Sequence, residues 1–226
     1  MKTTWMKNRR LKKIFSRALF VLLFVSVAFA STAGPTLVGT GADGGGGAVA
    51  WVNPGNITAV DGVFATCTAT APSQNCNFLN GTMGANAFSV PAGSTINGIQ
   101  VDISRFATIA TDILESSVKA LKGGVSVGTS QGTGTFLPTV QTTATYGGPG
   151  NLWGTTWTPA DVNAGSFGVQ FQDNITSQAD SAQVDWIKIT VTFTPPAGCK
   201  SCMFNVFARN SRPQTRTQTR SASIVR

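Results

Sequence analysis

The chain has no histidine, a single tyrosine and a single glutamate, Glu115. Without histidine, nucleophile systems built on serine or cysteine lack their usual base. Zinc would be left with the four thiolates of Cys67, Cys76, Cys199 and Cys202, and in an exported chain these oxidise first. No cysteine precedes Cys67, which excludes a lipid-modified cysteine near the amino terminus. Apolar runs are also short. The longest, 18–28, is too short for a comfortable membrane span of roughly 20 residues, with an uncleaved signal anchor as the alternative reading, and no other run is long enough. Helical periodicity is nearly absent, and the one helical turn expected is 158–163, with Thr158 as N-cap and Pro159 as the first helical residue.

Two motifs match in letters only. Gly124-Val-Ser126-Val-Gly128 has the form of a nucleophile elbow, but it has no histidine partner and no following helix. Gly39-Thr-Gly41-Ala-Asp-Gly44 has the form of a dinucleotide fingerprint, but it leads into polyglycine, with no βαβ unit around it. Ser126 is therefore expected on a strand. Glycoside hydrolysis needs two carboxyl groups about 5–10 Å apart. Nine acids do not exclude such a pair, although most fall on turns or on outward strand positions. Asn56, Asn80 and Asn174 open glycosylation-type triplets, which matter only in a eukaryotic secretory host.

What the sequence does contain begins with its first thirty residues. Seven basic residues (Lys2, Lys7, Arg9, Arg10, Lys12, Lys13, Arg17) precede an uncharged apolar run and then Ala28-Phe29-Ala30. That order is a secretory signal peptide, 1–30. It predicts a secreted or cell-surface protein. It also changes the meaning of the charge. The chain counts 17 basic and 9 acidic residues, a net +8, yet residues 31–196 hold all nine acids and only Arg105, Lys119, Lys122 and Lys188. The other basic residues lie in 197–226: Lys200, Arg209, Arg212, Arg216, Arg220 and Arg226. The high isoelectric point thus comes from the two terminal segments, and no specific nucleic acid is implied for the part between them.

The sequence divides into the signal, a glycine-rich lead-in at 31–47, a β-sandwich domain at 48–196, and a basic, largely disordered tail at 197–226 that carries Cys199-x-x-Cys202. In the domain, Ile99, Val101 and Ile103 alternate with Gln100, Asp102 and Ser104. Phe167, Val169 and Phe171 alternate with Gly168, Gln170 and Gln172. Ile187, Ile189, Val191 and Phe193 alternate with Lys188, Thr190 and Thr192. Period two with a polar outer face marks half-buried sheets. About eight strands are expected, at 48–52, 62–70, 87–90, 95–108, 117–122, 140–146, 167–172 and 183–194. Separated by turn residues, they predict an all-β fold, an antiparallel, jelly-roll-like β-sandwich.

Several segments, taken in order, carry a resemblance. They are Asn56-Ile-Thr-Ala-Val-Asp61-Gly62, Phe88-Ser-Val-Pro91-Ala-Gly93 with Ile96-Asn-Gly98, Leu152-Trp153-Gly154 with Trp157-Thr-Pro159-Ala-Asp161, and Val184-Asp185-Trp186. Together they are similar to a jelly-roll module of secreted bacterial proteins of unknown function and of phage or prophage appendages. That resemblance implies a non-enzymatic sandwich used for structure or adhesion, with no catalytic residues to carry across.

The four cysteines allow three pairings. The local one, Cys67 with Cys76 and Cys199 with Cys202, is favoured over a redox use of the second pair. Trp153 and Trp157, with Tyr146 nearby, are candidates for an exposed sugar-binding platform, although the same rings could instead plug one end of the sandwich. Asp61, Asp173 and Asn174 are weak candidates for a structural Ca²⁺. No other cofactor is expected. The partners expected are a cell-surface component or polysaccharide, possible self-association, and an anionic surface for the basic tail.

Overall fold

The structure, a computed structural model, describes residues 29–197. Residues 1–28 of the signal segment, the CxxC pair and the six basic residues of the tail lie outside the described residues. Eleven strands are present: β1 (Ser31–Leu37), β2 (Thr40–Asp43), β3 (Ala65–Thr68), β4 (Gln74–Asn75), β5 (Leu79–Thr82), β6 (Thr95–Ala107), β7 (Ile113–Lys122), β8 (Val125–Val127), β9 (Thr142–Gly148), β10 (Gly168–Ile175) and β11 (Ser181–Thr194). The one α-helix among the described residues, α1 (Pro159–Asn163), starts as expected. Thr158 accepts from Asp161 N–H, and Asp161 in turn accepts from Thr158 N–H at 2.8 Å, closing a capping box.

Two antiparallel sheets pack as a sandwich. One runs β1-β11-β6-β9, with β3 also on β11. The other runs β2-β5-β10-β7-β8, with β4 also on β10. Successive long strands alternate between the sheets, so each connection crosses the sandwich and the fold is jelly-roll-like. The alternating runs behave as read. Ile99, Val101 and Ile103 face Ile187, Ile189 and Val191 across the β6–β11 pair, all buried. With Phe167, Val169 and Phe171 from the other sheet they form the core.

The strand expectations need four corrections. Residues 31–43, read as a glycine-rich lead-in, form two strands, and β1 pairs along β11 from Ser31↔Phe193 to Leu37↔Lys188. Eleven strands replace about eight: six of the expected runs hold, and β1, β2, β4, β5 and β8 are additional, the last four being too short to show a sustained period. Residues 48–52 make only isolated bridges, at Val49↔Cys76 and Val52↔Thr66, since Trp51 turns into the core and its indole N–H donates to Asn77 O at 2.7 Å. Residues 87–90 are not a strand either. Phe88 and Val90 are buried, and Asn163 holds Val90 through N–H and C=O at 2.8 Å each. Ser126 lies on β8, as expected.

Candidate functional site

Cys67 is bonded to Cys76, with Cα atoms 6.0 Å apart. The intervening turn passes through Ser73 in the left-handed region. Both cysteines are fully buried, so this bond is structural.

The tryptophan platform is not at the surface. Trp153 has no solvent exposure, and its indole N–H donates to Ile99 O at 2.9 Å. Its pocket depends on Gly147 at φ 70°, where a Cβ would stand 2.7 Å from the indole nitrogen. Trp157 is 8% exposed, donates to Leu152 O at 3.0 Å and meets Phe167 edge-on at 5.3 Å. Tyr146 points between the sheets. Trp153 and Trp157 are packed inside the sandwich, the alternative weighed above, because each finds an apolar wall together with a backbone carbonyl for its indole N–H.

Tyr146 belongs to a buried polar cluster that links the sheets. Arg105 on β6 donates to Tyr146 Oη at 2.9 Å and to Glu115 on β7 at 2.6 Å. Tyr146 donates to the same Glu115 oxygen. The other oxygen of Glu115 accepts Thr133 N–H at 2.5 Å and Thr133 Oγ1 at 3.1 Å. Burial would lower the basicity of Arg105, but Tyr146 and Glu115 more than reverse this and raise its pKa. Burial pushes the Tyr146 phenol well up, so it stays a donor. Asp173 on β10 stands in register with Glu115 and has no partner for either oxygen. Burial raises its pKa well above the usual carboxylate range, despite the opposing pull of Arg105. Here is a facing carboxylate pair, but Glu115 and Asp173 both have zero exposure, so no substrate reaches them in this structure.

The calcium candidates do not come together. Asp61 sits on an exposed turn and accepts Val63 N–H at 3.0 Å. Asp173 is in the core, and Asn174, next along the strand, points to the opposite side of its sheet. Among the described residues no group of three or more acidic or cysteine side chains could hold a metal ion.

Two further carboxylates went unnoticed in the sequence. Asp112 Oδ1 accepts from the N–H groups of Ser177 and Gln178 at 2.7 and 3.2 Å. Asp180 Oδ1 accepts Ile109 N–H at 3.1 Å. Each tethers the turn that bears the other, so the β6–β7 and β10–β11 turns are clasped. Burial would raise the Asp112 pKa, but its donors on Ser177, Gln178 and Thr176 outweigh this and lower it.

Among the described residues, the tryptophan that remains at the surface is Trp186. It lies on the outward face of the five-stranded sheet, out of phase with buried Ile187 and Ile189. A bulge at Asp185 precedes it. Cross-strand register sets rows of side chains on this face. Trp186 is opposite Ser104, which is opposite Thr143. Lys188 is opposite Asp102, which is opposite Thr145. Thr190 is opposite Gln100. Lys188 Nζ sits 4.4 Å from the Trp186 ring centroid. Asp102 accepts from Thr145 Oγ1 at 2.7 Å and from the Gln100 amide at 3.1 Å. Gln141 donates to Asp185 at 2.7 Å and to Ser104 at 2.8 Å. Phe106 and Phe64 meet edge-on at 5.1 Å further along the same face. Around Trp186 this face is polar and offers hydrogen bonds together with a ring for stacking.

No helix among the described residues is long and apolar enough to cross a membrane. No family model matches the chain, and no curated protein does. Two solved structures match the chain at low identity. One is the N-terminal cellulose-binding domain of Cellulomonas fimi β-1,4-glucanase C, at 15% identity and a TM-score of 0.31, covering 70% of this chain and 90% of that one. The other is from the cyanophage Pam1 capsid asymmetric unit, at 13% identity and a TM-score of 0.27, covering 60% of this chain and 89% of that one.

Proposed function

We propose that this chain is a secreted, non-catalytic β-sandwich of the structural or adhesive kind, held at a cell surface or built into an appendage. Its contact with a surface polysaccharide runs through the outward face of the five-stranded sheet. The observation that carries this reading is the placement of Trp186. Trp51, Trp153 and Trp157 are internal, whereas Trp186 is partly exposed among side-chain amides, hydroxyls and carboxylates. The C–H face of a sugar ring stacks on an indole, and its hydroxyls bond to groups such as Gln100, Asp102, Thr145 and Gln141. The Lys188 ammonium already rests over the ring, an arrangement worth about 0.5–1 kcal/mol at an exposed site. It is free to swing to a ligand oxygen. The export signal agrees with such a partner, and the basic residues from Lys200 to Arg226 add a screened attraction to any anionic surface.

The test is retention of the purified full-length chain on insoluble polysaccharides and on cell-wall preparations. W186A is expected to lose at least about tenfold in affinity, equivalent to about 1.4 kcal/mol, with the circular dichroism unchanged. Retention equal to that of the unaltered chain overturns the reading, and so does release of soluble sugar during the assay.

A further inference from the structure

The open edges of the two sheets differ. On β1 the edge is broken by Pro35 and by a shift in register between Ala33 and Thr36. Strands β2 and β8 have four and three residues. In contrast, β9 runs for seven residues, Thr-Thr-Ala-Thr-Tyr-Gly-Gly, with no charge and no proline. Among the described residues its only strand partner is β6, and its other side receives no backbone bond apart from the turn between Gly148 and Asn151. Proteins normally blunt such an edge with lysine, proline or a bulge, or cover it. Two residues before β9, Val140 is 73% exposed, so an apolar side chain stands uncovered at the start of the open edge.

We propose that the edge of β9 is a strand-accepting surface, and that its occupant is the chain's own segment 203–208, Met-Phe-Asn-Val-Phe-Ala, laid antiparallel along it. Direction and reach both favour this segment. Strand β9 is antiparallel to β6, and β6 to β11, so a chain that turns back after β11 meets β9 in the antiparallel sense. It would meet β1, on the other flank, in the weaker parallel sense. The last described residues stay on the β6 side, with Pro196 Cβ 3.6 Å from where a side chain on Gly93 would begin. The far side of β9 is three strand spacings from β11, about 14 Å, and Gly148 lies about 13 Å back along the strands, at the level of Ile99. The connecting residues 195–202 span up to about 26 Å when extended. The segment itself is rich in aromatic and β-branched residues and carries no charge, which suits a strand over a solvated tail. Main-chain bonds would supply the affinity, as in other strand additions.

The experiment is amide hydrogen exchange on the full-length chain, with solution mass measured in parallel. V206P removes a main-chain donor from the segment, while V206A keeps it. The unaltered chain and V206A are expected to protect amides within Thr142–Gly148 at monomeric mass, and V206P to speed their exchange at least about tenfold while β6 and β11 stay unchanged. Equal exchange at β9 in all three chains overturns the proposal. Protection that grows with protein concentration alongside a dimeric mass also overturns it, because the occupant is then a second copy.

Discussion

Asp173 stands directly opposite Glu115 across the β10–β7 pair, and neither side chain touches solvent. Only one of the two is neutralised by a partner: Glu115 faces Arg105 at 2.6 Å, while Asp173 has none. Burial therefore holds Asp173 as the neutral acid. The sign of the linkage follows. Below about pH 4 the group is protonated in both states and contributes nothing to the pH dependence. Above that, the unfolded chain releases the proton and the folded one keeps it, so stability falls as pH rises toward the elevated folded pKa. D173N is expected to remove this decline. It should be more stable than the unaltered chain at pH 8, by about 1.4 kcal/mol for each tenfold by which burial weakens the acid, and equal to it near pH 3.5. Urea titrations at the two pH values measure this, and a D173N chain less stable at pH 8 would refute it.

Arg105 is the only cation in that cluster, and its loss strands the Glu115 charge between the sheets. R105M is expected to cost about 3–5 kcal/mol. Adding E115Q should recover part of that loss, because the amide still accepts from Thr133 N–H without carrying charge. A double-mutant cycle in urea reads the coupling. Costs that add to within about 0.5 kcal/mol would show the two residues to be independent.

Trp153 and Trp186 predict opposite consequences for the same substitution. W153A empties a fully enclosed site and should lower stability by about 3–5 kcal/mol. W186A removes a partly exposed ring and should cost about 1 kcal/mol or less, its effect falling on retention. Thermal unfolding followed by circular dichroism separates the two. Similar losses of melting temperature would mean that Trp186 is also structural.

Closure of the Cys67–Cys76 turn restricts the unfolded chain by about 2.5–3 kcal/mol on the chain-entropy account. C67S/C76S should lose about that amount, and dithiothreitol should lower the unaltered chain to the same midpoint. No shift on reduction would show that the native contacts alone hold the turn.

The long strands were legible because their apolar residues recur at period two. The same parity held more than was read from it. Arg105 continues the inward phase of Ile99, Val101 and Ile103, and Asp173 continues that of Val169 and Phe171. A charged residue in the buried phase was the signal for the inter-sheet cluster. Trp186, out of phase with Ile187, was the signal for an outward ring. Trp153 and Trp157 sit in a loop, where periodicity is silent and burial depends on distant partners such as Ile99 and Phe167. The clasp of Asp112 and Asp180 was illegible for a similar reason. Its donors lie some 65 to 72 positions away along the chain and meet it only once the sheets have formed.

Ser31 and Phe193 are register neighbours at one pole of the sandwich. The polypeptide enters and leaves there side by side, like the two ends of a loop of thread. The opposite pole carries the Cys67–Cys76 hairpin and the clasped turns, and no through-going chain. A domain whose first and last strands share a pole in this way can hang from a host protein, or be spliced into one, by that pole alone. Its distal tip remains unencumbered.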